Sequence, residues 1–278
     1  MNIFDPPLNK IKHADWPFLL VHLAVYSVFL IVASLLLNGT AQTVVFLILT
    51  LFILLIVLSH FYRAYKEEAE HLQYKIQAIG EIQKLLPFRA PLRPMTGWAA
   101  TPELAVTVLR QVIFNKPQTI VELGSGITTI INGYALEKYN PDGKLISLDH
   151  DKDYAEITRE EINQNGLNAF VDLSVAPLKD VKVNGEQFRW YDLSGLPDKT
   201  KIDLLVVDGP PVKTIKFARY PALPLMDKYL SENCTIIIHD TNREEETGIV
   251  SRWVKEYPEF EADIRHTDKG ITVLTRSR

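Results

Sequence analysis

From Trp16 to Tyr62 the chain carries no Asp, Glu, Lys or Arg. Inside that block, residues 18–37 (FLLVHLAVYSVFLIVASLLL) and 43–61 (TVVFLILTLFILLIVLSHF) are apolar on every face. A helix without a polar face has no side to give to water. At about 1.5 Å per residue, each run of roughly 20 residues spans about 30 Å, the thickness of a hydrocarbon core. Asn38-Gly39-Thr40-Ala41-Gln42 lies between them, and Asn and Gly are turn formers because both tolerate positive φ. Residues 1–62 therefore read as a transmembrane helical hairpin. A cleaved signal peptide is the poorer reading, since Gly39-Thr40-Ala41 is a weak cleavage site and the apolar core is too long.

Basic residues set the orientation. Lys10 and Lys12 precede the first span, Arg63, Lys66 and Lys75 follow the second, and the connecting turn has none. The expectation is a two-span protein of the cell (inner) membrane, with both termini and everything after residue 62 in the cytoplasm. A single cysteine, Cys234, agrees with a compartment where disulfides are rare.

Residues 63–86 have helical composition and no Pro. Ala69, Leu72, Ile76 and Ile79 step by three and four, with Leu86 a heptad beyond Ile79. Two readings stand: a short coiled-coil seam joining two copies of the chain, or an amphipathic helix packed on its own domain. Pro87, Pro91 and Pro94 then break the helix, so 63–97 reads as a helical stalk and Pro-rich linker. Arg89 and Arg93 read as solvated linker charges or contacts to anionic lipid.

Residues 98–278 alternate helix and strand. Apolar strands are expected at 119–123, 144–148, 170–176, 202–207 and 234–238, with helices at about 101–114, 126–138, 153–165, 221–230 and 245–257. This alternation means a parallel sheet covered on both faces. Residues 260–267 and 271–276 are two further strand-like runs joined by Asp268-Lys269-Gly270, which is hairpin chemistry. The fold class is therefore α/β: a doubly wound, mostly parallel seven-stranded sheet ending in an antiparallel hairpin. Residues 185–199, with Phe188, Trp190 and Tyr191, form an insertion that reads either as a substrate lid or as a loop packed on the sheet.

Ligands of open α/β sheets bind beyond the carboxyl ends of the strands. Those ends are Glu122-Leu-Gly-Ser-Gly126, Asp149-His-Asp151, Ala176-Pro177, Asp208-Gly-Pro-Pro211 and His239-Asp-Thr-Asn242. The nicotinamide fingerprint needs a third Gly, where this chain has Thr129, and the Walker pattern is absent. Asp149, at the end of the second strand, is placed to accept from ribose hydroxyls. Glu122 puts negative charge where a pyrophosphate would sit, so a cationic ligand bearing adenosine fits better than a dinucleotide. His239 has the intrinsic pKa of a general base, although a histidine at the end of a buried strand is as often structural. A net charge of −4, from 30 Lys+Arg and 34 Asp+Glu, gives no basic field for nucleic acid.

VELGSG (121–126), SLDHD (147–151), APL (176–178), DLLVVDGPP (203–211) and IIIHDTNR (236–243), in this order, resemble class I S-adenosylmethionine-dependent methyltransferases. WYDLSGLP (190–197) and ARYPALPL (218–225) resemble a bacterial subgroup of them. The resemblance implies S-adenosylmethionine as cofactor. Glu122, Gly124, Ser125 and Gly126 would line its methionine part, Asp149 its ribose, and His150, Ala176 and Pro177 its adenine. A weaker resemblance reaches the metal-dependent O-methyltransferases of the catechol type. Asp208 and Asp240 match their two acids, while Thr241 stands where they have Asn. Two carboxylates and an amide oxygen would suit Mg²⁺, and the departure at Thr241 leaves the metal open.

These readings converge on a membrane-anchored methyltransferase acting at the cytoplasmic face. Asp208, Asp240 and His239 are its candidate catalytic residues. The expected acceptor is a hydroxyl of a small molecule, a sugar, a lipid-linked species or a surface-glycan precursor. The alternative is a non-catalytic membrane scaffold with a methyltransferase-like binding domain.

Overall fold

The computed structural model describes residues 15–276. The chain divides into two compact units, Met1–Gln73 and Tyr74–Arg278. Lys10 and Lys12 lie outside the described residues.

In the first unit, α1 (Asp15–Leu36) is followed by α2 (Gly39–Leu85) after a break at Leu37 and Asn38. The turn is tighter than the five residues expected. Gly39, at φ +59°, already begins the second helix. Tyr26 Oη and Thr50 Oγ1, 2.8 Å apart, join the two helices, and the Thr50 hydroxyl also donates to Phe46 O. Large apolar side chains on both helices face outward, among them Leu35, Leu47, Ile48 and Phe52. α2 contains a stretch long and apolar enough to cross a membrane, and the described apolar part of α1, Leu20–Leu36, is shorter.

The second apolar run and the stalk are one helix. Without Pro, nothing removes a backbone N–H from the ladder across the 47 residues of α2. Its last turns pack on the second unit's own core through Ala78, Ile82 and Leu85, and Leu86 of the expected seam is buried with them. Leu72, Ile76 and Ile79 of that seam stay exposed.

The Pro-rich segment that follows is tied to the domain. The Arg89 guanidinium donates twice to Glu137 and once to Asn165 O, and lies over the Tyr134 ring. Arg93 pairs with Glu161 at 2.6 Å and lies over the Tyr154 ring. Neither arginine is a free linker charge.

The second unit then runs α3 (Pro102–Asn115), β1 (Thr119–Leu123), α4 (Ile127–Tyr139), β2 (Lys144–Asp149), α5 (Lys152–Gln164) and β3 (Val171–Val175). It continues through β4 (Leu178–Val183), β5 (Glu186–Tyr191), β6 (Ile202–Val207), α6 (Ala222–Met226), β7 (Leu230–His239), α7 (Glu244–Glu256), β8 (Phe260–Arg265) and β9 (Ile271–Arg276). Seven strands form one sheet in the order β3-β2-β1-β6-β7-β9-β8. The first five are parallel, and β9 inserts antiparallel between β7 and β8, as the hairpin pattern predicts. One face of the sheet buries α3, α4 and the end of α2, with Leu104, Ile130 and Tyr134 at its centre. The other buries Trp253, Tyr220 and Leu223.

The 185–199 insertion is not a flap. β4 and β5 pair as a separate hairpin, turned by Asn184 and Gly185, both at positive φ. Phe188, Trp190 and Tyr191 are buried in the second core. The helix expected at 221–230 is one short α-helix followed by a 3₁₀ turn.

Candidate functional site

The strand order reverses beside β1, so the ends of β1, β2 and β6 leave a crevice between them. Leu123 O accepts from Asp208 N, and Leu148 O accepts from Gly124 N, which locks the three ends together. At Gly124, φ is +98°, and a Cβ there would come within 3.2 Å of the Asp208 carbonyl carbon. Glycine is needed for both the conformation and the approach. The loop that follows opens α4.

Two carboxylates hold this loop, and neither does so by facing solvent. Ser125 donates to Asp149 Oδ2 through its backbone N at 2.8 Å and its hydroxyl at 2.6 Å. Asp149 Oδ1 accepts from Asp151 N at 3.0 Å. A carboxylate offers roughly four lone-pair positions, so about one remains on Oδ1 for a ligand. Glu122 lies wholly buried beneath the loop. Its Oε2 accepts from the Thr129 and Ser147 hydroxyls, and Gly126 N donates to Thr129 Oγ1. Burial pushes the Glu122 pKa up to about 7 against those hydrogen bonds.

Gly124, Ser125, Gly126, Asp149, His150 and Asp208 line one cleft of about 270 Å³. Trp98, Tyr154 and Tyr191 line it too. Among the described residues, the buried Tyr191 hydroxyl has no hydrogen-bond partner. Burial, and after it the charge of Asp149, raises its pKa well above the usual value, so it stays a donor. A side chain at Gly209 would collide with it. His150 Nδ1 also lacks a partner among these residues and stands 3.6 Å from Asp149 Oδ1.

Several expected site residues lie elsewhere. Glu122 is under the loop and does not line the cleft. Ala176 is buried, donating its N–H to Asp149 O. Pro177 lines an outer cavity of about 630 Å³, which shares Trp98, His150 and Pro211 with the cleft.

Of the three candidate catalytic residues, Asp208 lines the cleft, and His239 and Asp240 lie behind it. His239 is buried, with Nδ1 2.9 Å from Asp208 Oδ1 and Nε2 3.4 Å from Thr101 Oγ1. Asp240 takes a left-handed φ of +64° after β7, and its carboxylate meets the buried Arg219 at 2.8 Å and Arg243 at 3.0 Å. Burial opposes the ionised form of Asp208, but His239 and Arg219 outweigh it and hold its pKa below the usual carboxylate range. The carboxylates of Asp208 and Asp240 thus meet a guanidinium between them.

Sequence reasoning missed Arg219 and Trp98 as parts of this site. Tyr191 was expected in a lid or a packed loop, and the β4–β5 pairing instead places it in the cleft wall, its buried hydroxyl beside Gly209.

Residues 121–241 match the family model described as a methyltransferase domain. No curated protein matches the chain by sequence. A solved structure of a candidate O-methyltransferase from Klebsiella pneumoniae is 18% identical, with a TM-score of 0.54 over 75% of this chain and 100% of that one. A Podospora anserina methyltransferase with SAH bound is 15% identical, with a TM-score of 0.51 over 78% and 96%. A Bacillus cereus O-methyltransferase in complex with SAH is 16% identical, with a TM-score of 0.50 over 76% and 91%. The fold is Rossmann-like and of the methyltransferase type.

Proposed function

We propose that the chain is an S-adenosylmethionine-dependent methyltransferase held in a membrane. The observation that carries the activity is the cleft itself. A Gly124 cradle without room for a Cβ, the spare acceptor position of Asp149 and the unpartnered Tyr191 hydroxyl converge where the methyltransferase-domain match runs. The neighbours with bound SAH support the same ligand class. When bound, S-adenosylmethionine supplies a methyl group on a sulfonium.

Gly124, Ser125 and Gly126 would hold the methionine end, Asp149 the ribose, and His150 the adenine edge. Asp208 is the carboxylate that reaches the reacting end. It orients an acceptor hydroxyl, and His239 fixes its oxygen from behind. Methyl transfer to a hydroxyl needs alignment more than covalent chemistry, so positioning of this kind carries much of the effect.

The acceptor is proposed to be a sugar hydroxyl on a lipid-linked or surface-glycan precursor at the cytoplasmic face. Two observations support it. Apolar side chains are exposed along α1 and α2, as lipid requires. The outer cavity offers the Trp98 indole with Lys213 and Arg189, and none of its lining residues is acidic, which suits a sugar carrying negative charge. The exposed Leu72, Ile76 and Ile79 keep pairing of two chains through α2 as part of this proposal.

Calorimetry on the full chain in detergent, with S-adenosylmethionine and with NAD, tests the activity class. Binding of the first and not the second is expected, and the reverse overturns the reading. Incubating membranes with methyl-labelled cofactor should then place label in the lipid-extractable glycan fraction. A chain that binds the cofactor but transfers nothing to any fraction would be a scaffold instead.

A further inference from the structure

Behind the cleft, the ends of β6 and β7 bring together Asp208, His239 and Asp240, with ligand-type atoms all within 4.8 Å of one another. That spacing would invite a divalent ion. Arg219 already stands in it. Its Nη2 donates to Asp240 Oδ2 at 2.8 Å and to Asp208 O at 3.1 Å, and lies 3.5 Å from Asp208 Oδ1. Nη1 donates to His239 O at 2.8 Å. Nε faces Glu246 Oε1 at 3.9 Å. The Arg219 side chain is 4% exposed, so solvent does not compete for these contacts.

A divalent ion does not fit beside it. Mg²⁺ demands oxygen ligands at about 2.0–2.1 Å in an octahedron. Here the oxygens point at a planar cation, at hydrogen-bond distances. The Nδ1 of His239 is engaged with Asp208 and its Nε2 with Thr101, so neither is open to a metal. Arg243 adds a second positive charge at Asp240. Arg219 and Arg243 thus face three carboxylates, those of Asp208, Asp240 and the buried Glu246.

We propose that Arg219 is the resident cation of this site: it holds the two strand-end carboxylates together where a metal otherwise would, and the chain takes up no divalent ion there. Arg219 is then a positioning residue, fixing Asp208 in the cleft wall without touching the substrate. The consequence for turnover rests on the methyltransferase reading. The occupancy of the site does not, and is tested without it.

The probe is Mn²⁺, titrated into the full chain in detergent and followed by the resonance of the free ion and by thermal unfolding. The natural chain should bind no stoichiometric Mn²⁺ at this site, and Mg²⁺ should not raise its Tm. Arg219→Met removes the cation and leaves the acids facing one another. Its Tm should fall, and it should gain one Mn²⁺ per chain with recovery of Tm. Asp240→Asn in that background should abolish the gain. Arg219→Lys keeps the charge and should remain silent to Mn²⁺. A merely structural arginine would produce the loss of stability but no new ion site.

The proposal is overturned if a folded Arg219→Met variant ignores Mn²⁺. It is overturned equally if the natural chain binds one Mn²⁺ that Asp240→Asn removes, and this second measurement decides the matter if Arg219→Met does not fold. A natural chain that binds both Mn²⁺ here and S-adenosylmethionine refutes the resident cation and leaves the methyltransferase reading intact. A chain silent to Mn²⁺ that fails to bind S-adenosylmethionine does the opposite.

Discussion

Glu122 costs the fold stability at neutral pH. Burial lifts its pKa from the ordinary 4.5 to about 7. Between those values the folded chain binds a proton that the unfolded chain has released, so stability falls as pH rises through that window. At roughly 1.4 kcal/mol per pKa unit, the loss approaches about 3 kcal/mol above pH 7. Glu122→Gln keeps an acceptor for Thr129 and Ser147 and removes the titration. It should match the natural chain near pH 4.5 and exceed it at pH 8, as read by denaturant midpoints at the two values. Equal pH dependence in both proteins would show that Glu122 does not titrate there. Asp149 acts through the hydrogen bonds that it accepts. Asp149→Ala strands the buried Ser125 N–H, at about 1–3 kcal/mol for a buried donor left unpaired, and takes an acceptor from the more exposed Asp151 N–H. It should therefore lower the Tm as well as the affinity for S-adenosylmethionine, and an unchanged Tm would contradict the geometry. The glycines, Ser125 and Asp149 were legible because the loop and its partner strand have local signatures. Arg219 was not, since its partners lie 11 and 21 residues along the chain and only the pairing of β6 with β7 unites them.

At the level of elements, periodicity sufficed wherever a strand was buried on both faces. Residues 119–123, 202–207 and 271–276 form strands with the expected bounds. The β4–β5 hairpin went unread although Asn184-Gly185 is a turn signal, because its strands carry charges on one side and lie outside the main sheet. The length of α2 was hidden for another reason. A change from apolar to charged composition looks like a boundary, but a helix ends only where its backbone ladder does. The Pro-rich segment after it is held by contacts that no local pattern reveals. Tyr134 Oη accepts from Arg89 N and donates to Asn165 Oδ1, so one buried hydroxyl ties the segment to α4 and the end of α5. Tyr134→Phe leaves the Arg89 N–H without that acceptor and should cost about 1–2 kcal/mol in denaturant unfolding. Amide exchange at Arg89 should quicken at the same time. Unchanged exchange there would mean that the segment is held by its arginine pairs alone.

For the molecule as a whole, the charge pattern and the helix pattern make one prediction about topology. The turn between α1 and α2 contains no charged residue, whereas Arg63 and Lys66 follow the apolar stretch on α2 itself. Basic residues close to the ends of apolar spans resist translocation, and a two-span hairpin would put those that follow the apolar stretch of α2 on the same side as the chain before α1. Lys66 has Glu70 as a neighbour at 3.8 Å, but both are well exposed. An exposed pair of this kind is worth about 0–1 kcal/mol, too little to cancel the charge. The turn should therefore face outward and residues 74–278 inward, where a cytoplasmic methyl donor is available. A phosphatase active only outside the cytoplasm, fused after Thr40, should be active, and the same reporter fused after Arg278 should be inactive. Activity at both positions would mean that α2 does not return the chain to the cytoplasm. Activity only at Arg278 would invert the protein, and the proposed acceptor would then have to be sought on the outer face. Inactivity at both would mean that α1 and α2 do not carry the turn across the bilayer, and the exposed apolar helices would need another partner than the membrane interior.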